Sequence, residues 1–333
     1  MLKEAEIRPD ELMKGQAERL ANDVRRLMRH KEQFVAVPCP ACDSRLSQPA
    51  YAKYELQFVT CAGCQTVYAS PRPRPEHMDE YYSHSENYAY WNQYIFPASE
   101  SARREKIFKP RVRKVLELCQ RFGIRQDTLL EVGAGFGTFC QELGSTGAFK
   151  RVIGVEPTPE LASTCRARGI EVIEKRIEDA EPSEQVDVVV SFEVIEHLFS
   201  ARDFLQKCHR LIRPGGVLML TCPNVQGFDI LTLGEKSSAV DHEHVNLFHP
   251  GSLAMLLTAC GFEVIERQTP GQLDAELVRK QVLAGQHSPE HEPFLRRVLI
   301  EEWERLGEKF QAFLSDNLLS SNMLLVAKKP AHG

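Results

Sequence analysis

The stretch Leu129-Leu-Glu-Val-Gly-Ala-Gly-Phe-Gly-Thr138 decides how this chain is read. A short apolar run closes on the acid Glu131, glycines follow at 133, 135 and 137, and Phe139 and Leu143 open a helical spacing. Strand, glycine turn and helix in that order bring bare backbone to the carboxyl edge of an α/β sheet, where no Cβ blocks a nucleotide-like ligand. Glu131, Gly133, Ala134, Gly135 and Gly137 are therefore the first candidate cofactor residues. Their spacing, G-x-G-x-G, departs from the dinucleotide fingerprint G-x-G-x-x-G.

Working outward, the residues after 129 alternate between strand and helix patterns. Residues 152–155 read as a second strand ending at Glu156, 19 residues past Gly137. An acid at that tip accepts hydrogen bonds from both hydroxyls of a ribose. Thr158 is expected to cap a helix that starts at Pro159 and stops at Gly169, and Ser200 to cap the next. Further strands are expected over 170–173, 186–192, 217–221, 262–266 and 323–327, with a helix over 252–260 and a long amphipathic one over 294–314. Continuous apolar strands between helices predict a mostly parallel seven-stranded sheet covered on both faces.

Composition is that of a globular protein, with 43% apolar and 26% charged residues, and the net charge of −5 argues against a large nucleic-acid footprint. No run of 18 apolar residues suggests a membrane span, and the charged start Met1-Leu-Lys-Glu lacks a signal-peptide core. The expected compartment is the cytoplasm, where the ten cysteines stay reduced. Six of them are scattered in apolar contexts and read as buried small hydrophobes.

The other four are ordered. Cys39-Pro-Ala-Cys42 and Cys61-Ala-Gly-Cys64 are separated by 18 residues, the spacing of a closed four-thiolate zinc site with a structural role, or less readily of a rubredoxin-like iron centre. Residues 54–60 between them read as one strand. The expected organisation is an N-terminal helical segment (1–37), a zinc ribbon (38–70), a linker and aromatic segment (71–104) and a catalytic domain (105–333) with a helical insertion at 271–318. The prolines at 71, 73 and 75 predict a stiff extended linker. Tyr81, Tyr82, Tyr88, Tyr90 and Trp91 make either a lid that stacks on a sugar or a helix packed by its aromatics, and residues 102–120 read as one helix.

With the acid at 131 placed just before the first glycine, the turn resembles the first motif of the class I S-adenosylmethionine (SAM) methyltransferases. Two further stretches carry the same resemblance: Ser191-Phe-Glu193-Val-Ile-Glu196-His197-Leu198 is similar to the E-V-x-E-H segment of small-molecule methyltransferases, and Leu211-Ile-Arg-Pro214-Gly215-Gly216 to the turn before their fifth strand. The resemblance covers about residues 105–267 plus the final strand. It implies a Rossmann-like fold and SAM as cofactor, with Glu131 and the glycine turn along its methionine part, Glu156 on the ribose, Ile177 and Glu178 beside the adenine, and Phe192 and Glu193 on the far side.

Asp241-His242-Glu243-His244-Val-Asn246-Leu-Phe248-His249-Pro250 resembles the E-H-x-x-Y-F loop of a group that joins a four-cysteine zinc domain to a methyltransferase core and acts on nucleotide-linked deoxysugars. Leu247 stands where that group has Tyr, and the last predicted strand is not followed by that group's further domain. A hydroxyl or a carbon of a sugar-like small molecule is therefore the expected acceptor. Methyl transfer to a hydroxyl needs a base near neutrality, which makes His244 the first candidate, Glu243 its orienting partner, and His242, His197 and Tyr88 reserves. The rival for residues 241–244 is a metal site. An RNA methyltransferase gripping its substrate with the ribbon, and a scaffold that binds SAM without turnover, are the alternative functions. Residues 271–318 are expected to form an acceptor lid or a homodimer surface.

Overall fold

The computed structural model describes residues 2–331. Among the described residues eleven strands are defined: β1 Ser47–Lys53, β2 Leu56–Cys61, β3 Val67–Ala69, β4 Thr128–Val132, β5 Arg151–Val155, β6 Glu171–Ile173, β7 Val186–Phe192, β8 Ile212–Pro223, β9 Asn246–Leu247, β10 Glu263–Gln268 and β11 Asn322–Lys328. The chain divides into two compact units. One comprises Met1–Ser99, Pro223–Ser252 and Gln268–Leu324, the other Glu100–Cys222, Leu253–Arg267 and Leu325–Gly333. The sequence pattern groups 105–333 as one domain; the contacts place the stretch after β8 and the helical insertion with the N-terminal unit.

The second unit is built on a seven-stranded sheet of order β10-β11-β8-β7-β4-β5-β6, in which β4 runs parallel to β5 and β7, β5 to β6, and β7 to β8. The expected α/β class and strand number are those of the structure. The central strands β4 and β7 are buried almost throughout, which is why they read as unbroken apolar runs rather than alternating ones. Asp187 is the exception in β7. Its buried carboxylate accepts the N–H groups of Asp127 and Thr128 at 3.0 and 2.8 Å and pairs with Arg213 at 3.3 Å, so the charge is not left unsatisfied. Ser200 caps the helix Ala201–Leu211 as expected, by accepting from Asp203 N–H at 3.2 Å. Thr158 precedes its helix but makes no side-chain cap; Glu156 takes its N–H at 3.0 Å instead.

In the first unit, β1, β2, β3 and β9 form a four-stranded sheet in that order. The strand expected over 54–60 is instead the second arm of a hairpin. Tyr54 and Glu55 occupy the left-handed region (φ 53° and 62°), the twist that a two-residue hairpin turn requires. Neither is Gly or Asn, so the turn left no mark in the sequence. The residues after β3 are not a free spacer either: Arg72 is 1% exposed and bridges to Val35. The helix expected over 102–120 is part of a longer run, Phe96–Arg103 and Lys109–Arg121, joined by a wider turn at Arg104–Phe108; Pro110 lacks the N–H that a regular ladder would need there. The helix expected over 294–314 is broken at Glu302 (φ −125°), which seats Trp303 in an apolar cluster with Ala275, Val278 and Leu299.

Candidate active site

In the second unit the tip of β4 carries the glycine turn. Gly133, Gly135 and Gly137 all take positive φ (79°, 54° and 71°). Their reasons differ. A Cβ on Gly137 would stand 2.3 Å from the Ile170 side chain and 2.9 Å from Cys165 Sγ, so this glycine serves the packing of the helix behind the turn. A Cβ on Gly135 would meet nothing within 4 Å. That open position is where a ligand can approach the backbone. Gly135→Val is therefore expected to weaken cofactor binding while costing the fold about 1–3 kcal/mol of positive-φ strain, whereas Gly137→Val adds to that strain a clash on the order of several kcal/mol and lowers the melting temperature most; calorimetric titration beside thermal melts separates the two.

Glu156, 5% exposed at the tip of β5, turns toward that glycine turn: Oε2 accepts Gly135 N–H at 2.8 Å and Oε1 accepts Thr158 N–H at 3.0 Å. Burial raises its pKa against those two bonds. Ala134 is buried beneath the turn, Ile177 is buried just after β6, and its neighbour Glu178 is exposed. The buried Glu131 accepts the Cys140 thiol at 2.9 Å. Burial lifts it to about 8, with Cys140 and Arg111 acting in the opposite direction. A carboxyl whose folded pKa lies above its unfolded value of about 4.3 favours the fold below that lower value and loses its contribution as pH climbs toward 8. Glu131→Gln should thus remove a stability slope of about 1.4 kcal/mol per pH unit in this window. Melting curves of both proteins between pH 5 and 9 should diverge, with the variant the more stable at the alkaline end.

After β7 the chain bends sharply. Glu193 is held at φ 57°, outside the usual range for a residue with a side chain, by its N–H on the Thr221 carbonyl (3.0 Å) and by Thr221 Oγ1 on its Oε1 (2.5 Å). Such an imposed conformation points to function. Phe192 packs edge-on to Phe139 at 4.9 Å, and the Arg111 guanidinium lies 4.6 Å over its ring and 3.5 Å from Glu193. Glu196 is 1% exposed, and neither of its oxygens has a hydrogen-bond partner. Burial, then the charge of Glu193, raise its pKa well above the ordinary carboxylate range. His197 follows at the end of the same short turn. Arg111 was not foreseen, because one arginine on an amphipathic helix reads as a solvated face. Glu196 stood inside the E-V-I-E-H stretch, and only burial distinguishes it.

In the first unit, residues 241–244 and the aromatic segment come together. Glu243 receives the hydroxyls of Tyr88 at 2.8 Å and Tyr81 at 2.9 Å. Tyr81 has one proton and gives it to Glu243, so its oxygen accepts from His242 Nε2 at 2.8 Å. Asp241 faces His242 Nδ1. Burial disfavours charge on this ring, but Asp241 and Glu243 outweigh it and hold its pKa above the ordinary histidine value. The aromatics therefore pack and bond at once; Tyr82 stands edge-on to both Tyr81 and Tyr88, at 5.3 and 5.5 Å. His244 Nδ1 lies 2.8 Å from the Ala239 carbonyl, which only accepts. In the neutral ring the proton is thus on Nδ1, which makes Nε2 its basic nitrogen.

The four ribbon cysteines converge. Cys39 and Cys64 Sγ are 3.4 Å apart, Cys42 and Cys61 Sγ 3.5 Å, and all four lie within 4.8 Å of one another. Four sulfurs at about 2.3 Å from one tetrahedral ion would stand about 3.8 Å apart, so the set fits a metal. Burial raises the Cys39 thiol, while for Cys61 the N–H groups of Cys64 and Gly63 overcome burial and bring it down to about 7, the state a metal ligand takes. All ten cysteines are free thiols. No helix among the described residues is long and apolar enough to cross a membrane.

Comparison with known proteins identifies a family. Residues 101–267, half of the chain, match a family model described as a methyltransferase domain. A probable S-adenosylmethionine-dependent methyltransferase of Mycolicibacterium smegmatis is 33% identical over 139 residues, 41% of this chain and 52% of that protein. The ubiquinone biosynthesis O-methyltransferase of Rhizobium etli is 27% identical over 171 residues, 45% of this chain and 68% of its own. The human mitochondrial ubiquinone biosynthesis O-methyltransferase is 37% identical over 107 residues, 29% of this chain and 28% of its own length. A solved S-adenosylmethionine-dependent methyltransferase from Clostridium acetobutylicum superposes over 72% of this chain and 99% of its own, with 9% identity and a TM-score of 0.48. The chain thus spans about half the length of the first of these relatives and less of the human one. By the match over 101–267, this chain belongs to the methyltransferase-domain family, within the class I SAM-dependent methyltransferases.

Proposed function

We propose that the protein transfers the methyl group of SAM to a hydroxyl, or to a nucleophilic carbon, of a small polar acceptor of the sugar or nucleotide-sugar class. The observation that carries the cofactor half is the Gly135 N–H on Glu156 Oε2 at 2.8 Å, beside a Gly135 whose Cβ direction is open. When bound, SAM supplies an electron-poor methyl on a sulfonium leaving group. Glu156 accepts the ribose hydroxyls with the lone pairs that Gly135 and Thr158 do not use. Glu131 and the glycine turn flank the methionine portion, Ile177 and Glu178 the adenine, and Phe192 and Glu193 the opposite wall. His244 Nε2 takes the acceptor's proton as the new bond forms. Tyr88 and His197 help to bind the acceptor, and Glu243 holds Tyr81 and Tyr88 in place through their hydroxyls.

Cys39, Cys42, Cys61 and Cys64 hold a structural zinc, and the six other cysteines, none of them in a disulfide, suit a reducing, cytoplasmic setting. Metal analysis is expected to find one zinc per chain, lost in Cys61→Ser with cooperative unfolding of the ribbon. The binding energy of such sites is on the order of 10 kcal/mol, more than a segment this small gains from its core. Finding neither zinc nor iron would remove this part of the reading.

The function itself is tested by titrating the protein with S-adenosylhomocysteine, then following labelled methyl from SAM into panels of nucleotide sugars, phenols and RNA. Labelling of a small hydroxylated acceptor supports the proposal. Binding with no transfer to any panel would favour a scaffold, transfer to RNA alone the nucleic-acid alternative, and no binding would end the enzyme reading.

A further inference from the structure

The loop carrying His244 is woven into the ribbon's own sheet. Two residues past His244 the chain enters β9, and β9 pairs with β3, Tyr68 opposite Asn246 and Val67 opposite Leu247. Ala69 N–H donates to the Val245 carbonyl at 3.0 Å. Arg72, itself 1% exposed, reaches across the same edge: Nη1 donates to Asn246 Oδ1 at 2.9 Å, Nη2 to the Val245 carbonyl at 3.3 Å, and Nε to the Ala69 carbonyl at 3.1 Å. At the loop's far end His249 Nε2 donates to the carbonyl of Cys64 at 2.8 Å, with Gly251 N–H on its Nδ1 at 3.2 Å. Val245 and Leu247 bury their side chains in one cluster with Leu56, Phe58 and Val67 of the ribbon.

The loop is therefore clamped at both ends by the segment that supplies the second pair of thiols. Without an ion, nothing draws the four sulfurs together, three of them buried and Cys42 half-buried, and the knuckle that offers the Cys64 carbonyl to His249 is not held. We propose that the four-thiolate site is the template of the His244 loop: a bound ion fixes the Cys61–Cys64 knuckle, and Arg72, Asn246 and His249 carry that order into residues 244–248. Arg72 and His249 are positioning residues. The catalytic meaning of this arrangement rests on His244 being the proton acceptor; its structural content does not.

Amide exchange on the full chain tests it, with the zinc-loaded protein compared with the same protein after chelation. Removal of the ion is expected to raise exchange across 244–248 at least about ten-fold, while S-adenosylhomocysteine affinity changes by less than about two-fold. Unchanged exchange in the loop overturns the proposal. Should chelation loosen the whole unit, His249→Ala decides: it is expected to retain one zinc per chain and near-native melting, yet to show the same local rise in exchange. Arg72→Lys, which keeps the charge but cannot bridge Asn246 and Val245 at once, should do likewise. If both variants keep zinc and native loop protection, the clamp does not exist. A variant His244→Ala with full turnover would instead reject the base assignment and leave these exchange results standing.

Discussion

His244→Ala is expected to lower methyl transfer about 10²–10⁴-fold, the usual contribution of a positioned general base, with S-adenosylhomocysteine affinity unchanged. The reason lies in one hydrogen bond. The Ala239 carbonyl at 2.8 Å commits Nδ1 to carrying the proton, so Nε2 is left as the basic nitrogen in the neutral ring. Alanine removes that lone pair without disturbing Glu156 or the glycine turn. His244→Gln is the sharper control, since an amide can fill the space and donate a hydrogen bond but cannot take the proton. Single-turnover rates with labelled SAM, beside calorimetric binding, check the split. A rate within about three-fold of wild type in both variants would exclude His244 as the base. Glu243 does a different job in this arrangement: with Tyr81 and Tyr88 both donating to its carboxylate, Glu243→Gln is expected to disturb the aromatic segment before it disturbs proton transfer.

Glu156→Ala is expected to weaken S-adenosylhomocysteine binding about 100-fold, because two charge-assisted hydrogen bonds to ribose hydroxyls are together worth about 3 kcal/mol or more. The same change strips the acceptor from the N–H groups of Gly135 and Thr158, so the turn that faces the ligand loosens as well. Glu156→Gln keeps the size and one acceptor oxygen, and should lose about ten-fold. Burial raises the pKa of Glu156, so acidification protonates it earlier than an exposed glutamate and removes acceptor lone pairs; wild-type affinity should fall with decreasing pH, and that fall should flatten in the glutamine variant. Equal affinity for wild type and Glu156→Ala would mean that the acid at the tip of β5 serves the turn alone.

The glycine turn and its partner Glu156 were legible because their geometry is local. An apolar strand, glycines at fixed offsets and an acid one strand over are set by hard-sphere geometry and by the reach of a ribose, and each leaves its residue type in place. The cysteine pairs were legible for the same reason: a tetrahedral site needs its four sulfurs on two short knuckles. The hairpin at Tyr54 and Glu55 was not, since two ordinary residues are forced into the left-handed region by the strands on either side.

By itself, then, the amino-acid order determined the mostly parallel α/β sheet, the bare turn with its partner Glu156, and the convergence of four cysteines. Tertiary structure alone decided that Arg72 is a buried clamp rather than part of a spacer, that Glu243 serves two tyrosines, and that Glu196 sits without a hydrogen bond in the dark of the fold. The physical reason is separation along the chain. Arg72 meets Asn246 174 residues away, and Tyr81 meets Glu243 across 162. Desolvation and pairing of that kind depend on which surfaces close over a side chain, and no periodicity of the side chain's own neighbours records it.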